Sequence, residues 1–181
     1  MGDTESSKSS RRFLVELIEI LVIAFILSWV LRAFVIEARI VPTGSMLPTI
    51  QLNDRVIVDK LFFKYFDKIK HGDIIVFHPP PEANATDDYI KRVVGLAGDT
   101  VEIRDHTTYV NEQPVYEPYV ANKSIHDFGP LVIPENMVFV MGDNRNNSAD
   151  SREWGVLPTQ NITGRTLFRY WPLDQIGALA R

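Results

Sequence analysis

Tyr89-Ile90-Lys91-Arg92-Val93-Val94-Gly95 is a run of β-branched and aromatic residues with two adjacent cations in its middle. Such a run reads as a strand, because branched side chains pack well on a pleated surface. Strand geometry puts Tyr89, Lys91 and Val93 on one face and Ile90, Arg92 and Val94 on the other. Runs of the same kind recur at 55–58, 73–77, 100–103, 108–110, 132–133, 137–141 and 166–171, with Gly, Pro and Asn between them. Many short strands with frequent turn signals predict a mostly β fold, an antiparallel sheet or barrel-like domain. Within it, 107–115 predicts a hairpin turning at Asn111-Glu112, although Glu is less suited than Gly to positive φ. His78 through Asp87 predicts a Pro-rich loop, and 116–130 the longest irregular excursion. The aromatic stretch 61–66 is expected either in the core or at a lipid surface.

Ahead of these strands, 13–36 is almost wholly apolar, broken by Glu16, Glu19, Ser28 and Arg32. A helix over 13–35 would be about 34 Å long, enough to cross a hydrocarbon core of about 30 Å. A single transmembrane signal-anchor helix is therefore expected there, with Arg12 and Glu16 at pairing distance and Trp29 at an interface. A cleavable leader would be shorter and end in small residues. Lys8, Arg11 and Arg12 precede the segment and Arg32 and Arg39 follow it, which orients the N-terminus to the cytoplasm. Residues 1–12 are then a cytoplasmic tail, disordered over 1–10. Residues 36–181 form an extracytoplasmic domain, at a plasma membrane or an internal one such as a thylakoid.

The 181 residues suffice for one compact domain besides the anchor and tail. A net charge of −4 and a pI near 5.6 offer no basic surface for nucleic acid. The chain has no cysteine, which removes disulfides and thiolate chemistry. Its four histidines are scattered and no acidic cluster has ligand spacing, so neither metal nor cofactor is expected.

Two further segments bear on chemistry. Just past the anchor lies Val41-Pro42-Thr43-Gly44-Ser45-Met46-Leu47-Pro48-Thr49, a Pro-bounded turn around a serine. A serine hydroxyl needs a base, and a lysine serves if desolvation lowers its pKa by roughly three units. Lys91 on the apolar face of its strand is the candidate base for Ser45, while Arg92 either stays outside or pairs with an acid. The Ser45 amide and the Thr43 hydroxyl are placed to meet a developing oxyanion. The polar string Gly142-Asp143-Asn144-Arg145-Asn146-Asn147-Ser148-Ala149-Asp150-Ser151-Arg152 has Asp and Arg two apart twice. From it, Asp150 and Arg152 are expected to form an ion pair, Asp143 to meet Arg92, and Ser148 to orient the Lys91 amine. A solvated Lys-Arg pair on an edge strand and a plain capped turn are the competing readings.

In order along the chain, the anchor, 44–49, 72–77, 89–99 and 142–152 resemble the type I signal peptidases, membrane-bound Ser/Lys endopeptidases that remove signal peptides from exported preproteins. The resemblance implies Ser45 as nucleophile, Lys91 as general base, Thr43 in the oxyanion hole and Ser148 against the base. It implies as substrate an extended strand with small side chains at the first and third positions before the cut. By position, Val41, Met46, Ile50, Tyr89 and Ile90 are then the pocket walls. Ala97 and Asn146 depart from the family pattern, where Pro and Asp are common, and local effects on loop stiffness and ion pairing are expected. Self-cleaving Ser/Lys repressors, a tethered β-domain that only binds a partner, and a base drawn from His71 or His78 are the alternatives.

Overall fold

A computed structural model describes residues 3–30, 35–65 and 68–179. The chain divides into two compact units, Met1–Ile36 and Glu37–Arg181. The first is a single 28-residue helix, α1 (Asp3–Val30). Residues 3–10, expected to be disordered, are helical. The apolar run from Phe13 onward propagates the helix once it is nucleated. Arg12 Nε and Glu16 Oε1 pair at 3.1 Å. The charges of Arg12, Glu16 and Glu19 fall within the stretch whose side chains are described, 12–29, and among the described residues no helix is long and apolar enough to cross a membrane.

The second unit is mostly β. Its elements run β1 (Ile36–Ile40), β2 (Arg55–Asp59), α2 (Phe62–Tyr65), β3 (Ile74–Phe77), β4 (Tyr89–Gly95), β5 (Thr100–Arg104), β6 (Thr107–Val110), β7 (Gln113–Pro114), β8 (Phe128–Val132), β9 (Met137–Met141), α3 (Ser151–Trp154), β10 (Leu157–Pro158), β11 (Ile162–Trp171) and β12 (Gly177–Ala178). One sheet has the order β1-β2-β11-β3-β4-β9-β10, with β12 added beside β11, and a smaller one has the order β7-β6-β5-β8. The large sheet ends in two edges, so it is curled rather than a closed barrel.

Strand β4 lies at the centre, antiparallel to β3 through Ile75↔Lys91 and to β9 through Val93↔Val140. Alternation along these strands feeds separate cores. Ile75, Phe77, Val93 and Val140 pack with Trp154 and Leu157, whereas Ile74, Val76 and Ile90 pack with Val41, Met46, Ile50 and Val56. The small sheet joins through Val101 and Ile103 against Val94, Phe139 and Met141.

Several departures from expectation have local causes. Asn111 and Glu112 do turn the β6–β7 hairpin, with φ of 52° and 65°. The Asn111 side chain offsets the strain by accepting from Thr100 N at 2.9 Å and donating to Asp99 Oδ1 at 2.7 Å. Strand β8 begins at Phe128, so the irregular segment is shorter than expected. Gly129 has a φ of 83° where the β5–β8 register shifts, and Pro130 is tolerated because β8 is an edge. In the aromatic stretch, Phe63 is buried in the core while Tyr65 is exposed, and Phe66 lies outside the described residues.

Candidate active site

Ser45 stands in the connection between β1 and β2. Val41 N donates to Asp54 O at 2.9 Å and Asn53 N to Val41 O at 2.8 Å, which ties the ends of the connection together. Val41, Met46 and Ile50 drop into the core beneath it, so the hydroxyl is mounted on buried anchors rather than on a free loop. Met46 and Ile50 are fully buried and do not line the cavity. They support the turn from below, because a turn this tight sends its large apolar side chains inward.

Lys91 sits in the middle of β4 and is only 4% exposed. Its Nζ donates to Ser45 Oγ at 2.9 Å and to Ile90 O at 3.1 Å, and lies 4.8 Å from the centre of the Tyr89 ring. Among the described residues it forms no ion pair. Burial pushes the Lys91 amine down to about 8, against an opposing pull from the Asp150 carboxylate. Desolvation therefore dominates, as expected for an amine held among hydrocarbon and uncharged dipoles.

A cavity of about 550 Å³ opens over the pair. Thr43, Tyr89, Ile90 and Ser148 line it with Ser45 and Lys91, and a wall comes from the connection 84–88 between β3 and β4. That wall was not anticipated, since a Pro-rich loop carries no periodic signal. Val41 borders a smaller neighbouring pocket with Tyr89 and Ile90. Ser148 Oγ is buried without a hydrogen-bond partner. It faces the same cavity as the amine but does not hydrogen-bond to it in this structure.

Arg92 has the opposite environment. Its Nε and Nη2 donate to the two oxygens of Asp143 at 2.8 and 2.7 Å, Nη1 donates to Gly72 O at 2.9 Å, and Tyr119 stacks 3.8 Å from the guanidinium carbon. Both side chains are wholly buried, so Arg92 does not stay outside. Asp143 also accepts from Thr49 Oγ1 at 2.5 Å. Arg152 pairs with Asp150 through two bonds, at 2.8 and 2.7 Å, and Asp150 accepts from Gly142 N at 3.0 Å.

Two members of the string have roles that spacing did not reveal. Arg145 is buried and donates to Glu117 at 2.6 and 2.8 Å and to Gly142 O at 3.1 Å. Burial lowers the Arg145 pKa, but the bonds to Glu117 and the charges of Glu117, Tyr119 and Asp143 together raise it, while burial together with the Glu117 charge pushes the Tyr119 hydroxyl up to about 12. Asn146 uses both ends of its amide, accepting from Ile125 N at 3.1 Å and donating to Lys123 O at 3.0 Å. An aspartate could not make the second bond. Ala97 is exposed in the turn after β4, where Asp99 accepts from Leu96 N at 2.8 Å and its pKa is lowered by that bond, Asn111 and His71 despite partial burial.

Neither histidine proposed as an alternative base reaches Ser45. His71 Nε2 meets Asp99 at 2.7 Å and His78 pairs with Asp88, and neither lines the cavity.

The family model described as signal peptidase, peptidase S26, matches residues 14–171. A signal peptidase I of Leptolyngbya laminosa is 42% identical over 171 residues, which is 92% of this chain and 84% of that protein. A probable signal peptidase I-1 of Synechocystis sp. is 43% identical, over 93% of this chain and 88% of its own length. Signal peptidase I S of Bacillus subtilis is 36% identical, over 93% and 95%.

Proposed function

The chain belongs to the signal peptidase family, peptidase S26, and from that premise we propose how its residues act. It is a type I signal peptidase, a serine endopeptidase that removes N-terminal signal peptides from exported preproteins after small residues. Ser45 is the nucleophile and Lys91 the general base. The single observation that carries the assignment is the 2.9 Å contact between the two in a buried site where the amine has no carboxylate partner.

A neutral amine has two N–H groups and one lone pair. The lone pair takes the Ser45 hydroxyl proton as Oγ attacks the scissile carbonyl, one N–H rests on Ile90 O, and the other is free for the unpartnered Ser148 Oγ. Three fixed contacts would leave the amine a single orientation. The oxyanion forms against the Ser45 N–H and the Thr43 hydroxyl. The ammonium then protonates the leaving amine, and an acyl-enzyme on Ser45 remains. Water attacks it with Lys91 again as base. Tyr89 and Ile90, with Val41 behind them, border the space beside Ser45, where an extended peptide with small side chains would lie.

The helix α1 is the anchor in this reading. It is about 42 Å long at 1.5 Å per residue, and its large apolar side chains are exposed, from 42% at Leu17 to 73% at Phe25. Lipid is the medium that would cover such a surface, with Arg12 paired to Glu16 at one end and Trp29 at the other. The N-terminus faces the cytoplasm and the β domain the other side. Membranes carrying the protein should trim a preprotein after a small residue, and those carrying Ser45→Ala should not. Cleavage that survives Lys91→Ala would overturn the assignment. For the anchor, the protein should resist alkaline extraction from membranes, and residues beyond 36 should be digested only from the extracytoplasmic side.

A further inference from the structure

Asn144 holds the turn that carries Ser45 from both sides of one residue. Its side-chain Nδ2 donates to Gly44 O at 3.0 Å, and its own backbone N–H donates to Ser45 O at 3.0 Å. The two residues are 100 positions apart in sequence, so these bonds join the polar string directly to the nucleophile turn. Gly44 O also accepts from Leu47 N at 3.2 Å, which closes the turn without reference to the rest of the site.

The Gly44 carbonyl and the Ser45 amide belong to one peptide plane, and this bond is not among the cis peptides of the chain. In a trans peptide the C=O and the N–H point in opposite directions, and rotation about the bond is barred by about 18–20 kcal/mol. Fixing the direction of Gly44 O therefore fixes the direction of Ser45 N–H. Asn144 is not among the residues lining the cavity, whereas Gly44 and Ser45 are. The carbonyl turned toward Asn144 leaves the amide turned the other way.

We infer that Asn144 is a positioning residue for the oxyanion hole, aiming the Ser45 N–H through the shared peptide plane. It touches no reacting atom. Its backbone bond to Ser45 O is independent of side-chain identity, so removal of the side chain leaves the turn attached but the plane, whose amide must meet the developing charge, held only by the longer Leu47 bond. Binding of the ground-state peptide depends little on that amide, while the tetrahedral state depends on it strongly.

This rests on Ser45 as the nucleophile. The experiment is steady-state kinetics of the full chain in detergent or vesicles, on a preprotein substrate, for wild type, Asn144→Ala and Asn144→Asp. It is coupled to inhibition by a peptide aldehyde that forms a tetrahedral adduct with the serine. For Asn144→Ala, kcat should fall 10- to 100-fold with KM within twofold, and the aldehyde should weaken by a factor similar to that in kcat/KM. The midpoint of the pH profile should stay that of wild type, because Lys91 keeps its contacts. Asn144→Asp keeps the shape and loses the donor, so it should behave as Asn144→Ala does, which also covers the case in which the alanine variant folds poorly. A loss confined to KM, a displaced pH midpoint, aldehyde affinity unchanged while kcat falls, or full activity in either folded variant would overturn the inference. Failure of the underlying assignment looks different: Ser45→Ala would remain active, whatever Asn144 does.

Discussion

Lys91 and Arg92 are adjacent on one strand, equally hidden from water, and treated in opposite ways. Arg92 is fully compensated, with a bidentate carboxylate, a carbonyl and an aromatic face around it. Lys91 meets a hydroxyl, a backbone carbonyl and the ring of Tyr89, and among the described residues no carboxylate pairs with it. Burial of a charge is costly unless it is paired, and Arg92 is paired with Asp143 as part of the structure. Lys91 is pushed to about 8, the range in which an amine can serve as the base proposed for it. Alternation along a strand is what allows the same sheet to supply both environments within two residues.

The contrast breaks most sharply with Lys91→Met. Cleavage should fall about 10²- to 10⁴-fold, the range general-base catalysis contributes, while the melting temperature holds or rises. In the wild type, kcat/KM should climb tenfold per pH unit below about 8 and level off above it, since the neutral amine is the active form. Lys91→Arg should be as inactive as the methionine variant, because a guanidinium does not deprotonate in this range.

Next in size is Asp143→Ala, which leaves Arg92 buried without its counter-charge. A loss of about 3–5 kcal/mol in chemical denaturation is expected. Activity should disappear with folding rather than ahead of it.

The third test reads the Lys91 shift as stability. The folded pKa is depressed below the ordinary lysine value of 10.5, so between about 8 and 10.5 the unfolded chain binds more protons than the native one. Stability should therefore rise with pH across that window, by roughly 3 kcal/mol at most for a drop of this size. The gain should be absent in Lys91→Met. Denaturant midpoints at the two ends of the window for both proteins decide it.

The smallest effect is expected from Asn146→Asp. It keeps the acceptor for Ile125 N and loses the donor to Lys123 O, at a cost of about 1 kcal/mol. Kinetics should change less than twofold.

What was legible in the sequence follows the range of the interactions. The strand alternation at 89–95, and the Asp and Arg two apart at 150 and 152, are local patterns that the structure realises directly. The pairing of Asp143 with Arg92 is one of two options the sequence offers, a solvated Arg92 being the other, and burial of both side chains decides between them. Glu117 with Arg145 gave no such signal, since a glutamate in an irregular segment looks solvated until the fold closes it over the string. The Met46 and Ile50 side chains were assigned to the pocket because they flank Ser45. A turn sends neighbouring side chains in different directions, and proximity in sequence did not say which were inward. Edge pieces such as β12 and β10, two residues each, are too short to carry a period.

The arrangement also has a consequence in time. Ser45 and Lys91 are 46 residues apart and both precede the polar string, whose Asn144, 100 residues after Gly44, holds the serine turn from outside. Until that string has been synthesised and laid against Gly44 and Ser45, the turn has its buried anchors but lacks the bonds that Asn144 makes to both carbonyls. The order of the strands therefore makes the fastening of the serine turn one of the later events in the chain's synthesis.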